Sequence, residues 1–154
     1  AFGLDIIMVR AFNHIGIRQA PMFVISDFAK QIAEMEKGLR EPVMHVGNLD
    51  VKRDFTDVRD IVRGYWMLAK SGKSGQVYNI GSGKSISIRE LLNKMINMSS
   101  SRITVEVDTA KLRPVDIPEL KADISKIMKD VSWKPEIDID TSLKDILDYW
   151  RKNV

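Results

Sequence analysis

Two short segments place cations where they could bind an anionic ligand, and the first is Lys52-Arg53. These residues stand just before a helix that Asp57 is predicted to cap. Because neighbouring side chains of a strand point to opposite faces, only one of the two cations easily reaches a given ligand. Arg53 is the stronger candidate, since its planar guanidinium can bond two phosphate oxygens at once. The alternative is a surface cation paired with a nearby carboxylate.

The second segment is R-P-V-D, Arg113 to Asp116. Pro114 stiffens the backbone, so that a guanidinium and a carboxylate three residues apart are presented together. Arg113 suits a phosphate, and Asp116, as an acceptor, suits the hydroxyls of a ribose. The alternative is a local ion pair between these two side chains.

Asn13 lies just beyond the apolar run Leu4 to Arg10. Such a run is typical of a strand buried on both faces in a parallel sheet. Ligands of open α/β sheets bind at the carboxyl ends of the strands. An amide there can donate to one phosphate or sugar oxygen and accept from another hydroxyl. The alternative is a turn-forming asparagine that bonds its own backbone.

Strand and helix patterns alternate along the chain, which predicts an α/β fold to position these residues. The predicted strands are Leu4–Arg10, Val43–Val46, Val51–Phe55, Gln76–Ile80 and the alternating residues Ile103, Val105 and Val107. Five helices are predicted. The first runs from a cap at Ser26 to about Lys37, the second begins at a cap at Asp57, and the third begins at a capping box of Ser87 and Glu90. The last two run from Ile124 to Val131 and from Thr141 to Arg151. The buried face predicted after Asp57 consists of Val58, Ile61, Val62, Tyr65, Trp66 and Ala69.

Composition excludes several functions. The 24 basic and 21 acidic residues are interspersed, and the net charge of +3 does not indicate a nucleic-acid partner. The absence of cysteine excludes disulfides, thiolate catalysis and cysteine zinc sites. His14 and His45 lack acidic partners at metal-ligand spacing, so no metal is expected. The apolar runs are too short for a membrane span.

The segment Gly81–Ser85, G-S-G-K-S, ends like a phosphate-binding loop but fails the full pattern. Tyr78 stands where that pattern requires a glycine, and Ile86 stands where a Rossmann fingerprint has its third glycine. We interpret the segment as a strand-to-helix turn. The chain also contains no Tyr-x-x-x-Lys, so no catalytic residue is predicted within it.

Five motifs resemble, in order and spacing, the carboxy-terminal half of extended short-chain dehydrogenase/reductases acting on GDP-sugars. They are R-A-F-N-H-I-G at Arg10–Gly16, V-G-N-L-D-V-K-R-D-F at Val46–Phe55, V-Y-N-I-G-S-G-K-S-I-S-I-R-E-L-L at Val77–Leu92, R-P-V-D at Arg113–Asp116 and W-K-P-E at Trp133–Glu136. The resemblance covers essentially the whole chain. The string G-N-L-D-x-K-R-D is shared with GDP-mannose 4,6-dehydratases, whereas D-I-P-E-L looks more like GDP-4-keto-6-deoxy-mannose reductases.

The resemblance implies a fold and a site. The chain would contain the last strands of a Rossmann sheet, with residues 1–22 and 43–82 at its edge, plus a small mixed α/β substrate-binding domain. The NAD(P)-binding part, with the catalytic residues, would precede Ala1. By the same resemblance, the backbone of Phe12 and the side chain of Asn13 would contact the NADP or NAD cofactor, and Asn13 would also contact the sugar diphosphate. Asn48 and Leu49 would line the guanine pocket beside Lys52. Arg53 and Arg113 would bind the diphosphate, and Asp116 would bind the ribose.

Three functions stay open at this point. The first is a reductase that delivers hydride from NAD(P)H to the C4 ketone of a GDP-4-keto-6-deoxy sugar, giving a product such as GDP-rhamnose. The second is the dehydratase one step earlier, and the third is a nucleotide-binding module without chemistry. The resemblance also implies a homodimer in the cytoplasm, with a GDP-sugar as its partner and neither nucleic acid nor membrane. The segment alone is expected to show no turnover.

Overall fold

The computed structural model describes residues 3–111 and 117–154, which form an α/β fold. The strands are β1 Met8–Ala11, β2 Asn13–Ile15, β3 Val43–Val46, β4 Lys52–Arg53, β5 Phe55–Asp57, β6 Val77–Ile80, β7 Ile86–Ser87, β8 Thr104–Val107 and β9 Glu119–Leu120. The α-helices are α1 Val24–Glu36, α2 Val58–Ser71, α3 Ile88–Asn97, α4 Ser125–Val131 and α5 Ile139–Asn153, and a 3₁₀ turn spans Thr109–Lys111. The predicted fold class is confirmed.

Parallel pairing aligns the carboxyl ends of the longer strands. β1 runs parallel to β6, with Ala11 opposite Ile80. β2 runs parallel to β5, with Asn13 opposite Phe55, and β3 runs parallel to β8. The predicted strand over Val51–Phe55 is broken into β4 and β5. β4 pairs with β7 in antiparallel and with β9 in parallel register.

Two apolar clusters support these strands. The larger lies among α1, α3, α5 and the strand ends, and the smaller surrounds Trp133. The Trp133 side chain is fully buried, and its indole N–H donates to the carbonyl of Asp60 at 3.0 Å. Gly64 makes room for it, because a Cβ there would lie 2.9 Å from the indole nitrogen and 2.2 Å from Cδ1 of Ile80.

Two of the predicted helix caps are confirmed and one is wrong. The Asp57 carboxylate accepts the N–H of Arg59 at 2.8 Å, and the Ser87 hydroxyl accepts the N–H of Glu90 at 3.1 Å. α1, however, begins at Val24, so that Ser26 lies inside its first turn and is fully buried. The Ser26 hydroxyl bonds the preceding loop instead of the helix terminus.

The buried face predicted for α2 is largely wrong, because Ile61 is the only one of its six residues that is buried. Val58 is half-buried, and Val62, Tyr65, Trp66 and Ala69 are exposed. The other buried positions of the helix are Asp60, Gly64 and Leu68, which the prediction did not include. α2 packs through the side nearest Trp133, and within residues 3–111 and 117–154 nothing covers the rest of its apolar stripe.

The predictions for several other apolar residues are corrected in the same way. The first strand begins at Met8 rather than Leu4, and Leu4, Ile6 and Met8 are exposed instead of buried on both faces. Val105 and Val107 of β8 are also exposed, although their alternation is typical of a half-buried strand. Met128 of α4 is exposed as well. In addition, none of the described helices is long and apolar enough to cross a bilayer.

A partly buried ion pair joins α1 to α5, and it makes the stability of the fold depend on pH. Arg151 donates to both Glu36 oxygens, at 2.7 and 2.8 Å. These bonds, with a smaller contribution from the Ser100 N–H, hold the pKa of Glu36 below its ordinary value of 4.5, although burial opposes the shift. Because the folded pKa is the lower one, the stabilisation is present above about pH 4.5 and is lost as the pH falls through the folded value.

We expect Glu36→Gln to lower the free energy of unfolding at pH 7 by about 1 kcal/mol, since it removes a charge-assisted pair. The difference from the parent should shrink as the pH falls below 4.5 through the lowered folded pKa of Glu36, because the parent's own carboxylate then becomes protonated. Urea unfolding at pH 7 and at a series of lower pH values measures this. The control is Glu34→Gln, whose ion pairs with Lys30 and Arg40 span 3.6 and 3.3 Å and are more exposed. A difference that stays constant with pH would contradict the assignment.

Candidate ligand-binding cavity

A cavity of about 660 Å³ lies where the ends of β1 and β2 meet the loop after β3 and the start of α1. Its volume is in the range of small-molecule and cofactor sites. The lining residues are Ala11, Phe12, Asn13, His14, Ile15, Gln19, Met22, Phe23, Val24, Ile25, Asp27, Phe28, His45, Val46, Gly47, Asn48, Leu49, Val51, Arg53, Phe55, Ile88 and Lys111. The wall is therefore mixed, with apolar side chains beside amides and cations.

The structure brings most of the predicted site residues together. Phe12, Asn13, Asn48, Leu49 and Arg53 all line this cavity, so Asn13 and Arg53 face one cleft as expected. They come from segments about 40 residues apart in sequence, which the parallel pairing of β2 with β5 joins.

Three other predicted residues are not part of this set. Lys52 is not among the lining residues, which agrees with the expectation that it points away from Arg53 across the strand. Its predicted position beside the guanine stays a prediction. Arg113 and Asp116 lie outside the described residues.

The backbone of Phe12 offers a ligand its carbonyl rather than its N–H. The Phe12 N–H donates to the Ile80 carbonyl at 2.9 Å and so belongs to the sheet. The Phe12 carbonyl lies 3.1 Å from Nδ1 of His14. A carbonyl has two lone pairs, so it can accept a second bond from a ligand amide.

Asn48 and Leu49 form a polar and an apolar part of the same wall. The Asn48 side-chain oxygen accepts the N–H of Asp50 at 3.0 Å, which closes a local turn and fixes the orientation of the side chain. The amide nitrogen is then the end of Asn48 that can donate to a ligand. Leu49 is buried and gives the cavity an apolar surface beside it.

Arg53 is oriented by backbone carbonyls. Its Nη1 donates to the carbonyl of Ile117 at 2.6 Å and to that of Lys52 at 2.8 Å. A guanidinium carries five N–H donors in a planar fork, so two bonds from one nitrogen fix the plane of the group where it meets the cavity.

Lys111 is a second cation in the lining that the sequence did not indicate. Its Nζ donates to the carbonyl of His45 at 2.7 Å. The approach is close because Gly47 has no side chain, and a Cβ there would lie 2.8 Å from the Lys111 carbonyl. No motif includes Lys111. The parallel pairing of β3 with β8 brings it to the cavity, and such pairing could not be read from the sequence.

A chain of hydrogen bonds fixes the loop that closes one side of the cavity. The Trp150 indole N–H donates to the Ser26 hydroxyl at 3.0 Å, and this hydroxyl donates to the Gln19 carbonyl at 2.6 Å. The Gln19 amide in turn donates to the His14 carbonyl at 3.0 Å. Residues from the far end of the chain thereby hold Gln19 and His14, two lining residues that the sequence reasoning also missed.

This arrangement is suited to an elongated anionic ligand with a planar group. Arg53 and Lys111 supply positive charge, and the low-dielectric wall strengthens their attraction for phosphate relative to water. Asn13 and Asn48 supply amides for hydroxyl or base edges. Among the residues whose positions are described, no three His, Cys, Asp or Glu side chains cluster as metal ligands.

Comparisons with known proteins agree with this geometry. The family model described as GDP-mannose 4,6 dehydratase matches residues 1–146. The chain is 37% identical over 152 residues to the GDP-6-deoxy-D-mannose reductase of Pseudomonas aeruginosa, covering 99% of this chain and 50% of that protein. It is 25% identical over 155 residues to the GDP-mannose 4,6 dehydratase of Cricetulus griseus, covering 88% of this chain and 41% of the relative.

A solved structure shows the same fold. RMD from Pseudomonas aeruginosa, complexed with NADPH, superposes with a TM-score of 0.93 at 36% identity. The match covers 99% of this chain and 50% of that one. The chain therefore spans about half the length of the relatives it matches.

We expect Ser26→Ala to destabilise the fold by about 1–3 kcal/mol, because it leaves the Trp150 N–H and the Gln19 carbonyl without their buried partner. Urea unfolding measures the loss. Ser74→Ala, at an exposed serine in a turn, is the control and should change stability by less than about 0.5 kcal/mol. Equal, small effects of both substitutions would show that the hydrogen-bond chain does not hold the loop.

Proposed function

The chain belongs to the GDP-mannose 4,6 dehydratase family, and we propose that it is the nucleotide-sugar-binding half of an NAD(P)H-dependent reductase. This enzyme would convert GDP-4-keto-6-deoxy-mannose to GDP-6-deoxy-mannose, that is GDP-rhamnose. The observation that carries the proposal is the convergence of Asn13, Asn48, Leu49 and Arg53 on one cavity. The 37% identity to the Pseudomonas aeruginosa reductase favours the reductase reaction over the dehydratase reaction.

Each part of the ligand has a proposed partner. Arg53 would bond the diphosphate, and Lys111, which lines the same cavity, would add positive charge. The guanine would lie against Leu49, with Asn48 donating to its edge and Lys52 at the rim. Asn13 would bond the sugar diphosphate. Arg113 and Asp116 remain assigned, by resemblance, to the diphosphate and the ribose.

We propose that the dinucleotide lies at the carboxyl ends of β1 and β6. This position follows the general rule for open α/β sheets, and RMD, which shares the fold, was solved with NADPH. The Phe12 carbonyl and Asn13 are the groups of this chain that could meet the nicotinamide amide. When bound, NADPH or NADH would supply the hydride. This chain's contribution would be to hold the sugar in place.

The rest of the cofactor site would belong to a further α/β segment, with residues 1–22 and 43–82 at the edge of a shared sheet. In the described part of the chain β1 pairs only with β6, and the apolar Leu4 and Ile6 beside it are exposed. Tyr65 and Trp66 of α2 are further large apolar side chains that are exposed. Burial of large apolar side chains favours association. We further propose a homodimer in the cytoplasm, as the resemblance implies.

A GDP-mannose 4,6-dehydratase is the second candidate. The family model carries that description, and the Cricetulus griseus dehydratase is among the relatives. Both reactions use a GDP-sugar, so the same cavity would serve either one.

The two candidates differ in the substrate that is consumed. We expect the natural protein that contains this chain to oxidise NADPH or NADH when given GDP-4-keto-6-deoxy-mannose, and to leave GDP-mannose unchanged. Absorbance at 340 nm and chromatography of the sugar nucleotides measure the two outcomes. Conversion of GDP-mannose to a 4-keto sugar would select the dehydratase. Polypeptide 1–154 alone should turn over neither compound, because it contains no Tyr-x-x-x-Lys.

Arg53 provides the direct test of the binding site. We expect Arg53→Ala to weaken GDP binding about 10- to 150-fold, since it removes a charge-assisted hydrogen bond of about 1.5–3 kcal/mol. Arg53→Lys should recover only part of the loss, because an ammonium keeps the charge but loses the fork. Both substitutions also remove the bonds to Ile117 and Lys52, so calorimetric titration should be made well below each variant's melting temperature.

Arg59→Ala is the matched control for this experiment. Arg59 bonds Asp57 and Asp145 at 2.8 Å and does not line the cavity. Its loss should lower the melting temperature and leave GDP affinity unchanged. If Arg53→Ala binds GDP as the parent does, the assignment of Arg53 to the diphosphate is wrong.

A further inference from the structure

Asp54, the residue after Arg53, is fully buried, and its carboxylate accepts four hydrogen bonds. Its Oδ1 accepts the Ser82 N–H at 2.7 Å and the Ser82 hydroxyl at 2.6 Å. Its Oδ2 accepts the N–H of Gly83 at 2.9 Å and that of Ala122 at 3.0 Å. A buried charge is very costly unless it is paired or hydrogen-bonded, and these donors satisfy both oxygens.

These bonds explain why the segment Gly81–Ser85 resembles a phosphate-binding loop. Successive N–H groups in such a turn form a concavity that binds anions. Here the anion is internal, because the N–H groups of Ser82 and Gly83 bind the Asp54 carboxylate. Gly81 permits the contact, since a Cβ there would lie 3.0 Å from Oδ2 of Asp54. The segment is a turn, as interpreted, but it leads first into the two-residue strand β7, which directly precedes α3.

Asp54 connects the two neighbours of β4. On one side, Ser82 and Gly83 lead into β7, which is antiparallel to β4. On the other side, Ala122 follows β9, which is parallel to β4. Arg53 bonds the carbonyl of Ile117, which precedes β9. The segment 117–122 is therefore tied to β4 at both ends, by Arg53 at its start and by Asp54 at its end.

We propose that Asp54 is a positioning residue for the nucleotide-sugar site, an inference that rests on the proposed function. Asp54 does not line the cavity. It holds segment 117–122 and the turn at Ser82 against β4, and this segment provides the Ile117 carbonyl that fixes the plane of the Arg53 guanidinium. Without the Asp54 carboxylate, the Ile117 carbonyl would shift, and the Arg53 guanidinium would no longer be held in the plane in which it can bond the phosphate oxygens.

The test is a double-substitution cycle in the natural protein that contains this chain, read by calorimetric titration of GDP. Asp54→Asn keeps the shape of the side chain but removes its charge and turns one acceptor into a donor facing N–H groups. We expect it to weaken GDP binding on the order of tenfold. In an Arg53→Ala background the same substitution should weaken binding less than about twofold, because Asp54 acts through Arg53. Ser82→Ala removes one donor of the four and should reproduce the effect in milder form.

Asp57→Asn is the matched control, because Asp57 is a second buried carboxylate three residues further on. It binds Arg59 and the Ser142 hydroxyl, both away from the cavity. We expect it to lower the melting temperature as Asp54→Asn does, with GDP affinity unchanged. The proposal is overturned if Asp54→Asn lowers only the melting temperature, or if its effect on affinity is the same with and without Arg53. If the parent itself does not bind GDP, the proposed function fails instead.

Discussion

The cavity depends on the position of strand β4, because this strand carries Arg53. It consists only of Lys52 and Arg53, two charged residues that contribute no apolar side chain to the core. Its position comes from its neighbours, β7 on one edge and β9 on the other, and from the fully buried carboxylate that follows it. A strand this short does not persist alone, so the hydrogen bonds across both edges determine where Arg53 lies.

The parallel pairs then determine which other residues line the cavity. The pairing of β2 with β5 places Asn13 beside the strand that follows Arg53, and the pairing of β3 with β8 brings Lys111 into the lining of the same cavity. The chain thus gathers two cations and two amides from segments distant in sequence. Because the lining around these cations has a low dielectric constant, they attract a diphosphate more strongly than the same charges on an open surface would. The loop over residues 16–22 completes the enclosure because Trp150 and Ser26 hold it.

The sequence predicted the α/β class of the fold, and local signals identified Asn13 and Arg53, a strand-end asparagine and one of two adjacent cations. Phe12, Asn48 and Leu49 came from the family resemblance, and Lys111 was missed because the parallel pairing of β3 with β8 brings it to the cavity. Capping residues also leave local signals. Asp57 and Ser87 are such residues, and both caps are confirmed. Ser26 is the exception: its local pattern indicates a cap, but a partner 124 residues away determines its role. The exposure of Tyr65 and Trp66 was missed for a related reason, since apolar periodicity shows which face is apolar and not what covers it.

We propose that the cavity beside Arg53 binds the nucleotide of a GDP-sugar, and a crystal structure of the natural protein grown with GDP is the decisive experiment. We expect diphosphate oxygens within about 3 Å of the Arg53 guanidinium, with the guanine against Leu49 and its edge bonded by Asn48. Density for GDP at another surface, or a guanidinium of Arg53 that bonds only protein carbonyls while GDP is bound elsewhere, would contradict it.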